Sequence, residues 1–182
     1  ASCGLHCGAK IDFVDIDEDT NNISIYELEK KLKKAKKYGK LPKVLIPVHF
    51  SGFPYEQDKV HKLSKKYNFK IIEDASHALG AKYRNINVGS CKWSDITVFS
   101  FHPVKPITTG EGGMITTNNK KIYEKLILYR THGIHKNSKK FTNFALGFDK
   151  NKEPNRWYYE MTDLGYNYRL TDIQAALGSS QL

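Results

Sequence analysis

The sequence predicts an α/β fold built on a mainly parallel β-sheet with helices on its faces. Two observations support this prediction. Apolar runs of strand length alternate with segments in which apolar residues recur at helical spacing, and single helices separate successive strands in the first half of the chain. Crossovers of this kind are right-handed, and ligands in such sheets bind beyond the carboxyl ends of the strands.

The first predicted elements are a short strand and an amphipathic helix. Lys10–Asp15 is typical of a strand, and Ser24 with Glu27 forms the pattern of a capping box that opens a helix. Gly39 and Pro42 are expected to end that helix. Its apolar positions recur on one helical face: Ile25, Leu28, Leu32 and Ala35.

Two further strands follow, with one helix between them. Lys43–Val48 predicts a buried strand and Lys70–Asp74 predicts the next one. After a loop through residues 51–54, the intervening helix is marked by Val60, Leu63 and Tyr67.

The second half of the chain begins with two strands that lie close together in sequence. Only proline- and glycine-rich sequence separates Ile96–Phe101 from Gly113–Thr117, which is too short for a helical crossover. We therefore expect one of them to run antiparallel to its neighbours, or the two to form a hairpin. A helix is predicted from about Lys120 to Arg130, and Gly133–Arg156 is polar and aperiodic, which indicates a long functional loop.

Length and composition indicate one globular domain or a large piece of one, at 182 residues with 40% hydrophobic content. No apolar run approaches the roughly 18 residues of a membrane span, so we expect a soluble chain. The three cysteines match neither a zinc site nor a disulfide framework, which favours reduced thiols in a cytoplasm. The sequence begins with neither an initiator methionine nor the pattern of a signal peptide, so we expect it to start inside a fold and to be a fragment.

The formal net charge of +10 is compatible with a basic nucleic-acid- or anion-binding protein. Much of the excess, however, is a cluster of lysines that a helical spacing places on the solvent side of one helix. Basic residues are not interleaved with aromatic residues, as a stacking platform for bases requires. Binding without catalysis is kept as an alternative function, and no nucleic-acid or membrane partner is expected.

Three polar residues lie at or just after the ends of predicted strands, where parallel α/β sheets bind their ligands. Asp74 ends one strand, Ser100 interrupts the apolar end of another, and Lys105 follows in a turn flanked by prolines. A lone lysine is most often a surface charge, and a lone aspartate is most often a cap or turn residue. Together they fit an aldehyde cofactor, which requires a lysine to form an imine and a carboxylate to keep a pyridine nitrogen protonated.

Several motifs resemble the DegT/DnrJ/EryC1/StrS family of sugar aminotransferases. They are Glu73-Asp74-Ala75-Ser76-His77-Ala78-Leu79-Gly80-Ala81, Ser100-Phe101-His102-Pro103-Val104-Lys105, Gly110-Glu111-Gly112-Gly113, Arg130-Thr131-His132-Gly133 and Gly165-Tyr166-Asn167-Tyr168-Arg169-Leu170. The resemblance extends along essentially the whole chain, in order and with similar spacing. It implies the fold-type I, aspartate aminotransferase-like architecture and dependence on pyridoxal 5'-phosphate.

The resemblance also implies roles for single residues near the cofactor. Lys105 would carry the cofactor as a Schiff base and then act as proton donor and acceptor. Asp74 would pair with the pyridinium nitrogen, His77 would lie near the 3-hydroxyl group, and Ser100 would bind the phosphate. A few members of the family have histidine in place of this lysine and act as dehydratases. Lys105 therefore argues against dehydratase activity.

Two further inferences concern the partner subunit and the substrate pocket. The family places the asparagine corresponding to Asn167 on the phosphate of a partner subunit, which implies a homodimer with shared active sites. The alternative role for Asn167 is a cap or turn before the Thr171–Gln174 capping box. His102 and His132 are candidates to line the substrate pocket, with simple packing as their alternative role.

The sequence around Lys105 is especially similar to the branch that aminates the 4-keto group of a UDP-linked 4-keto-6-deoxy-N-acetylhexosamine. This similarity implies L-glutamate as amino donor and a pseudaminic-type nonulosonic acid as end product, found on flagellin or other surface glycans. Other nucleotide sugars remain open, including bacillosamine-type, legionaminic-type and 3-amino sugars. A regulator that kept the fold and lost turnover is a further alternative.

The resemblance implies that residues 1–182 form only part of the large cofactor-binding domain. In the family, the phosphate-binding segment and the aromatic residue that stacks on the cofactor precede the part corresponding to Ala1, and a small domain follows the part corresponding to Leu182. We therefore expect this chain to contain Lys105 and Asp74 without the complete cofactor site.

Overall fold

The computed structural model describes residues 1–182, which form two compact units. The first unit comprises Ala1–Asn118 and Ala176–Leu182, and the second comprises Asn119–Ala175. No helix in either unit combines the length and the apolar character needed to cross a bilayer.

The first unit is built around a four-stranded sheet. The strands of this unit are β1 (Val44–Leu45), β2 (Lys70–Asp74), β3 (Lys82–Tyr83), β4 (Ile86–Asn87), β5 (Ile96–Ser100) and β6 (Gly113–Thr116). The sheet order is β1-β2-β5-β6, and β3 pairs with β4 in a separate antiparallel ladder. β1, β2 and β5 are parallel, whereas β6 runs antiparallel to β5. The α/β class, the mainly parallel sheet and the single antiparallel strand are confirmed.

Two amphipathic helices pack on one face of the sheet. A short helix, α1 (Ser2–His6), precedes α2 (Ile25–Lys37) and α3 (Gln57–Tyr67). The Ser24 side chain accepts a hydrogen bond from the Glu27 N–H at 3.3 Å, as the capping pattern predicted. The apolar faces of both helices meet Ile71 of β2 in one buried cluster: Leu28, Leu32, Tyr55, Val60, Leu63, Tyr67, Phe69 and Ile71.

Side chains alternate between the two faces of the central strands. Glu73 and Thr97 are buried and hydrogen-bonded to each other, so they point to the face that carries α3. Asp74 pairs with Val98 in the parallel register. Because residues two apart in a strand share a face, Asp74 and Ser100 both lie on the opposite face.

Two predictions about strands were wrong. Lys10–Asp15 forms no strand, because no neighbouring segment pairs with it and only the bridge between Ile16 and Ile23 follows. The segment Lys43–Val48 is not fully buried. Alternate apolar side chains in and after β1 are exposed, because they point away from the sheet face that α2 and α3 cover: Val44, Ile46 and Val48.

The second unit contains α4 (Lys120–Arg130), followed by the segment predicted as a long polar loop. That segment holds only short elements: β7 (Ile134–His135), a 3₁₀ turn (Ser138–Lys140), α5 (Phe144–Gly147) and, after it, β8 (Glu160–Met161). Phe141 and Tyr158 are buried and stack edge to face at 4.9 Å. α6 (Asp172–Ser179) opens with the predicted capping box, in which Thr171 and Gln174 bond reciprocally at 3.0 and 3.3 Å.

Candidate active site

Asp74 and Ser100 lie at the carboxyl ends of neighbouring parallel strands, on the same face of the sheet. Both side chains are half-buried. This edge is where ligands bind in parallel α/β sheets, so the two residues mark the candidate site.

The Asp74 carboxylate is fixed by its own turn. Its Oδ1 accepts a 2.6 Å hydrogen bond from the Ser76 hydroxyl and a 3.1 Å bond from the Ser76 N–H. Oδ2 has no hydrogen-bond partner within the chain. The carboxylate is therefore held in one orientation and keeps an oxygen free to accept from a positively charged donor such as a protonated ring nitrogen.

Lys105 lies in a compact turn that follows β5. Its N–H donates to the His102 carbonyl at 2.9 Å, and the His102 N–H donates to the Ser100 hydroxyl oxygen at 3.3 Å. Further along, Gln181 anchors Thr108 through hydrogen bonds of 3.0 and 2.7 Å. The Lys105 side chain is half-buried and forms no ion pair, which leaves its amine free to react.

Lys105 and His77 line one wide, open cleft of about 400 Å³. The lining residues are Ser51, His77, Val104, Lys105 and Pro106. His77 is exposed and does not begin a helix, so its alternative role as a packed helix-start histidine is wrong. The structure thus brings together Lys105 and His77 in one cleft, next to the strand ends that carry Asp74 and Ser100.

Ser51 was not identified from the sequence. It lies in a turn after β1 with φ of 55°, the left-handed region that non-glycine residues rarely adopt. The one available signal was the Ser-Gly pair, which marks turns in many proteins and indicates no particular site.

His102, the first candidate for the substrate pocket, lies on the rim of the Lys105 turn. Its Nδ1 accepts from the Val104 N–H at 3.3 Å, and its Nε2 lies 3.9 Å from a Glu111 oxygen. The side chain is 47% exposed, so it is accessible to a ligand rather than packed.

His132 and Asn167 both lie in the second unit. The His132 N–H donates to the Tyr166 carbonyl at 2.8 Å, and His132 has φ of 57°. Asn167 forms a backbone bridge with Thr131, and its exposed side chain has no hydrogen-bond partner within the chain. Both side chains are thus presented on the surface of that unit.

A buried polar network lies on the opposite face of β2, directly behind Asp74. Glu73 is 1% exposed. Its carboxylate accepts four hydrogen bonds of 2.5 to 2.9 Å, from Tyr55, Gln57, Ser94 and Thr97. His49 is fully buried, with Nε2 at 3.6 Å from Glu73. Burial raises the pKa of Glu73, but the contacts with His49 and Thr97 outweigh it and hold the pKa below its usual range.

These features fit pyridoxal phosphate. The oriented Asp74 carboxylate with its free oxygen suits a protonated pyridine nitrogen, and the unpaired Lys105 amine suits an aldehyde. The Ser100 hydroxyl accepts from the His102 N–H and keeps its own proton to donate to a phosphate oxygen.

Comparison with known proteins gives a consistent set of relatives. The sequence matches the DegT/DnrJ/EryC1/StrS aminotransferase family over residues 1–182. A UDP-4-amino-4,6-dideoxy-N-acetyl-beta-L-altrosamine transaminase from Campylobacter jejuni is 42% identical over 183 residues, which cover 100% of this chain and 42% of that protein.

Solved structures agree with the sequence match. Helicobacter pylori PseC, an aminotransferase of pseudaminic acid biosynthesis, superposes with a TM-score of 0.81 at 34% identity, covering 100% of this chain and 42% of that one. The PLP form of Streptococcus pneumoniae Spr1654 has a TM-score of 0.74 at 28% identity, covering 99% of this chain and 44% of that one. The chain spans about 42% of the length of the curated relatives that it matches first.

Proposed function

Because this chain belongs to the DegT/DnrJ/EryC1/StrS aminotransferase family, we propose that it forms the catalytic centre of a pyridoxal-phosphate-dependent nucleotide-sugar aminotransferase. We propose further that residues 1–182 are the central part of the large domain of a longer enzyme, since the relatives are more than twice as long. The observation that carries the proposal is the shared cleft of Lys105 and His77 beside Asp74 and Ser100.

Each of these residues has a proposed task at a stated atom. When the cofactor is bound, Asp74 Oδ2 would accept from its ring nitrogen, Ser100 Oγ would donate to its phosphate, and His77 would hold its 3-hydroxyl group. Lys105 Nζ would hold the cofactor and, once free, could accept or donate a proton beside it. The bound cofactor supplies an aldehyde that exchanges amines and a ring that withdraws electrons.

The proposed substrates are L-glutamate as amino donor and a UDP-linked 4-keto-6-deoxy-N-acetylhexosamine as acceptor. This choice is supported by the identity to the Campylobacter jejuni transaminase and the similarity to Helicobacter pylori PseC. The product would feed a pseudaminic-type nonulosonic acid for surface polysaccharide or flagellin glycosylation. We place the enzyme in the cytoplasm, which fits the absence of disulfides among its three cysteines.

We further propose a homodimer in which Asn167 completes the site of the partner subunit. The exposed and unpartnered Asn167 side chain is available for such a contact. His102 and His132 are proposed to contact the nucleotide sugar, since both side chains are exposed.

The first test is substitution of the lysine in the whole natural protein. Lys105→Ala should abolish transamination between L-glutamate and the ketosugar. Borohydride treatment followed by mass spectrometry should locate the cofactor on Lys105 in the unmodified enzyme and nowhere in the variant. Lys34→Ala, which removes an exposed lysine of α2, is the matched control. Transamination by Lys105→Ala at the unmodified rate would refute the proposal.

A further inference from the structure

The cleft at Lys105 is bounded on one side by a turn whose shape is unusual. Ser51 and Gly52 have φ of 55° and 84°, so two successive residues adopt the left-handed conformation. For a serine this conformation is unfavourable, and it persists only where the surrounding structure enforces it. Backbone strain of this kind is found preferentially at ligand sites.

The group that enforces the turn is the carboxamide of Asn22, which is 4% exposed. Its Oδ1 accepts from the Phe50 N–H at 2.9 Å, and its Nδ2 donates to the Phe53 carbonyl at 2.9 Å. The two hydrogen bonds therefore clamp both ends of the turn. Because both the oxygen and the nitrogen of the Asn22 carboxamide are hydrogen-bonded to the turn, the backbone of the turn has little freedom to move.

The turn is also tied to the other residues of the cleft. The His49 N–H donates to the Asp74 carbonyl at 3.0 Å immediately before the turn. A Cβ at Gly52 would lie 2.8 Å from the His77 carbonyl oxygen, so the turn packs directly against the His77 backbone. Ser51 is exposed in the cleft, and its hydroxyl has no hydrogen-bond partner within the chain.

We propose that this turn is the substrate-facing wall of the Lys105 cleft, with Ser51 as a specificity-determining contact and Asn22 as the positioning residue that holds it. The inference rests on the proposed aminotransferase function. Substrate must bring its reacting carbon to Lys105, and a hydroxyl in the same cleft is suited to an oxygen next to that carbon. In L-glutamate this is a carboxylate oxygen, and in the ketosugar it is a ring hydroxyl oxygen.

The experiment uses the whole natural protein loaded with cofactor. Ser51→Ala should raise KM for L-glutamate or for the ketosugar about tenfold, as expected for one lost hydrogen bond. Both kcat and the cofactor dissociation constant should stay within about twofold, because Ser51 is proposed to contact the substrate equally in the ground state and the transition state and not to hold the cofactor. Ser51→Gly should show the same rise in KM although it relieves the left-handed strain, which separates the hydroxyl from the backbone. Ser90→Ala, at an exposed serine, is the control.

A binding measurement gives a readout independent of turnover. Calorimetric titration with α-methylglutamate or UDP-N-acetylglucosamine should show a weaker dissociation constant in Ser51→Ala for the ligand whose KM rises. A KM and a dissociation constant unchanged within about twofold for both ligands would overturn the role of Ser51.

A double-mutant cycle tests whether Asn22 acts through Ser51. Asn22→Asp keeps the acceptor for the Phe50 N–H and loses the donor to the Phe53 carbonyl, so its KM should rise about as much as that of Ser51→Ala. In the Ser51→Ala background, Asn22→Asp should add little, because the two changes remove the same contact. Additive effects would overturn the positioning role, and Asn151→Asp is the exposed control.

Failure of the premise is distinguishable from failure of the inference. If borohydride does not label Lys105 in the unmodified enzyme, the proposed function and this inference fail together. If labelling is normal and Ser51→Ala binds both ligands like the unmodified enzyme, the inference alone is wrong.

Discussion

At the scale of single residues, the candidate site combines groups that the sequence could predict with groups that it could not. Asp74, Ser100 and Lys105 stand at strand ends or in a turn flanked by prolines, and local patterns pointed to them. Ser51 and Asn22 could not be predicted, because their relation is a contact between segments 28 residues apart and leaves no local pattern. The burial of Glu73 could not be predicted from its motif either, since burial of a charge is decided by the packing of several elements.

Asp74 offers the most direct residue-level prediction. Asp74→Asn keeps an oxygen for the Ser76 hydrogen bonds but removes the negative charge that favours a protonated ring nitrogen. We expect kcat to fall on the order of 100-fold, the scale of losing one preorganised electrostatic group. Steady-state kinetics of the whole protein measure this, with cofactor content determined in parallel. A kcat within about threefold of the unmodified value would contradict the proposed role.

Glu73 predicts a pH dependence of stability. Its pKa is lower in the folded state than the ordinary value of 4.5, so its contribution is complete above that value and is lost as pH falls through the folded pKa. Glu73→Gln should cost about 1–3 kcal/mol at neutral pH. Urea unfolding at a series of pH values should show this difference shrinking below about pH 4.5. A difference that is constant with pH, or matched by the exposed control Glu18→Gln, would contradict the assignment.

At the scale of secondary-structure elements, periodic segments were predictable and unpaired ones were not. Apolar residues at helical spacing and residues typical of helix ends predict α2, α3 and α4. Short apolar runs predict β2 and β5. Lys10–Asp15 has the composition of a strand, but a strand exists only where a neighbouring segment supplies hydrogen bonds. Composition alone does not decide that pairing.

The start of α2 carries a prediction of its own. The Ser24 side chain caps the Glu27 N–H, whereas the Glu27 carboxylate bonds Lys30 instead of returning to the Ser24 N–H, which donates to the Asp15 carbonyl. Only half of the capping box is therefore formed. Ser24→Ala should lower the free energy of unfolding by about 1 kcal/mol, and Glu27→Gln by clearly less. If chemical denaturation gave the same loss of unfolding free energy for Ser24→Ala and Glu27→Gln, both hydrogen bonds of the capping box would be formed in solution.

At the scale of the whole molecule, each active site of the proposed dimer is built from residues of both subunits. Lys105→Ala and Asn167→Ala homodimers should each be strongly impaired. Mixing the two under conditions of subunit exchange should restore up to about a quarter of full activity, because each hybrid dimer has one site with both residues intact. Activity that stays at the sum of the separate variants, with exchange verified by mass spectrometry, would place both residues in one subunit's site.

Residues 1–182 alone should bind cofactor poorly, if the phosphate-binding segment lies outside them as proposed. Ser100 is then one of few phosphate contacts, and Asp74 and Lys105 cannot compensate for the others. Absorbance spectroscopy of the isolated chain with added pyridoxal phosphate measures this. A strong imine band would contradict the prediction.

The edge strand β1 has a practical consequence for handling the isolated chain. Val44 of β1 and two residues that follow it, Ile46 and Val48, are all more than 40% exposed, and the outer side of β1 has no neighbouring strand. An apolar strand edge of this kind is a template for pairing with another chain, and so for aggregation. Light scattering at increasing concentration is therefore the first measurement to make on such a preparation, and charged substitutions at these three positions are the first remedy for precipitation.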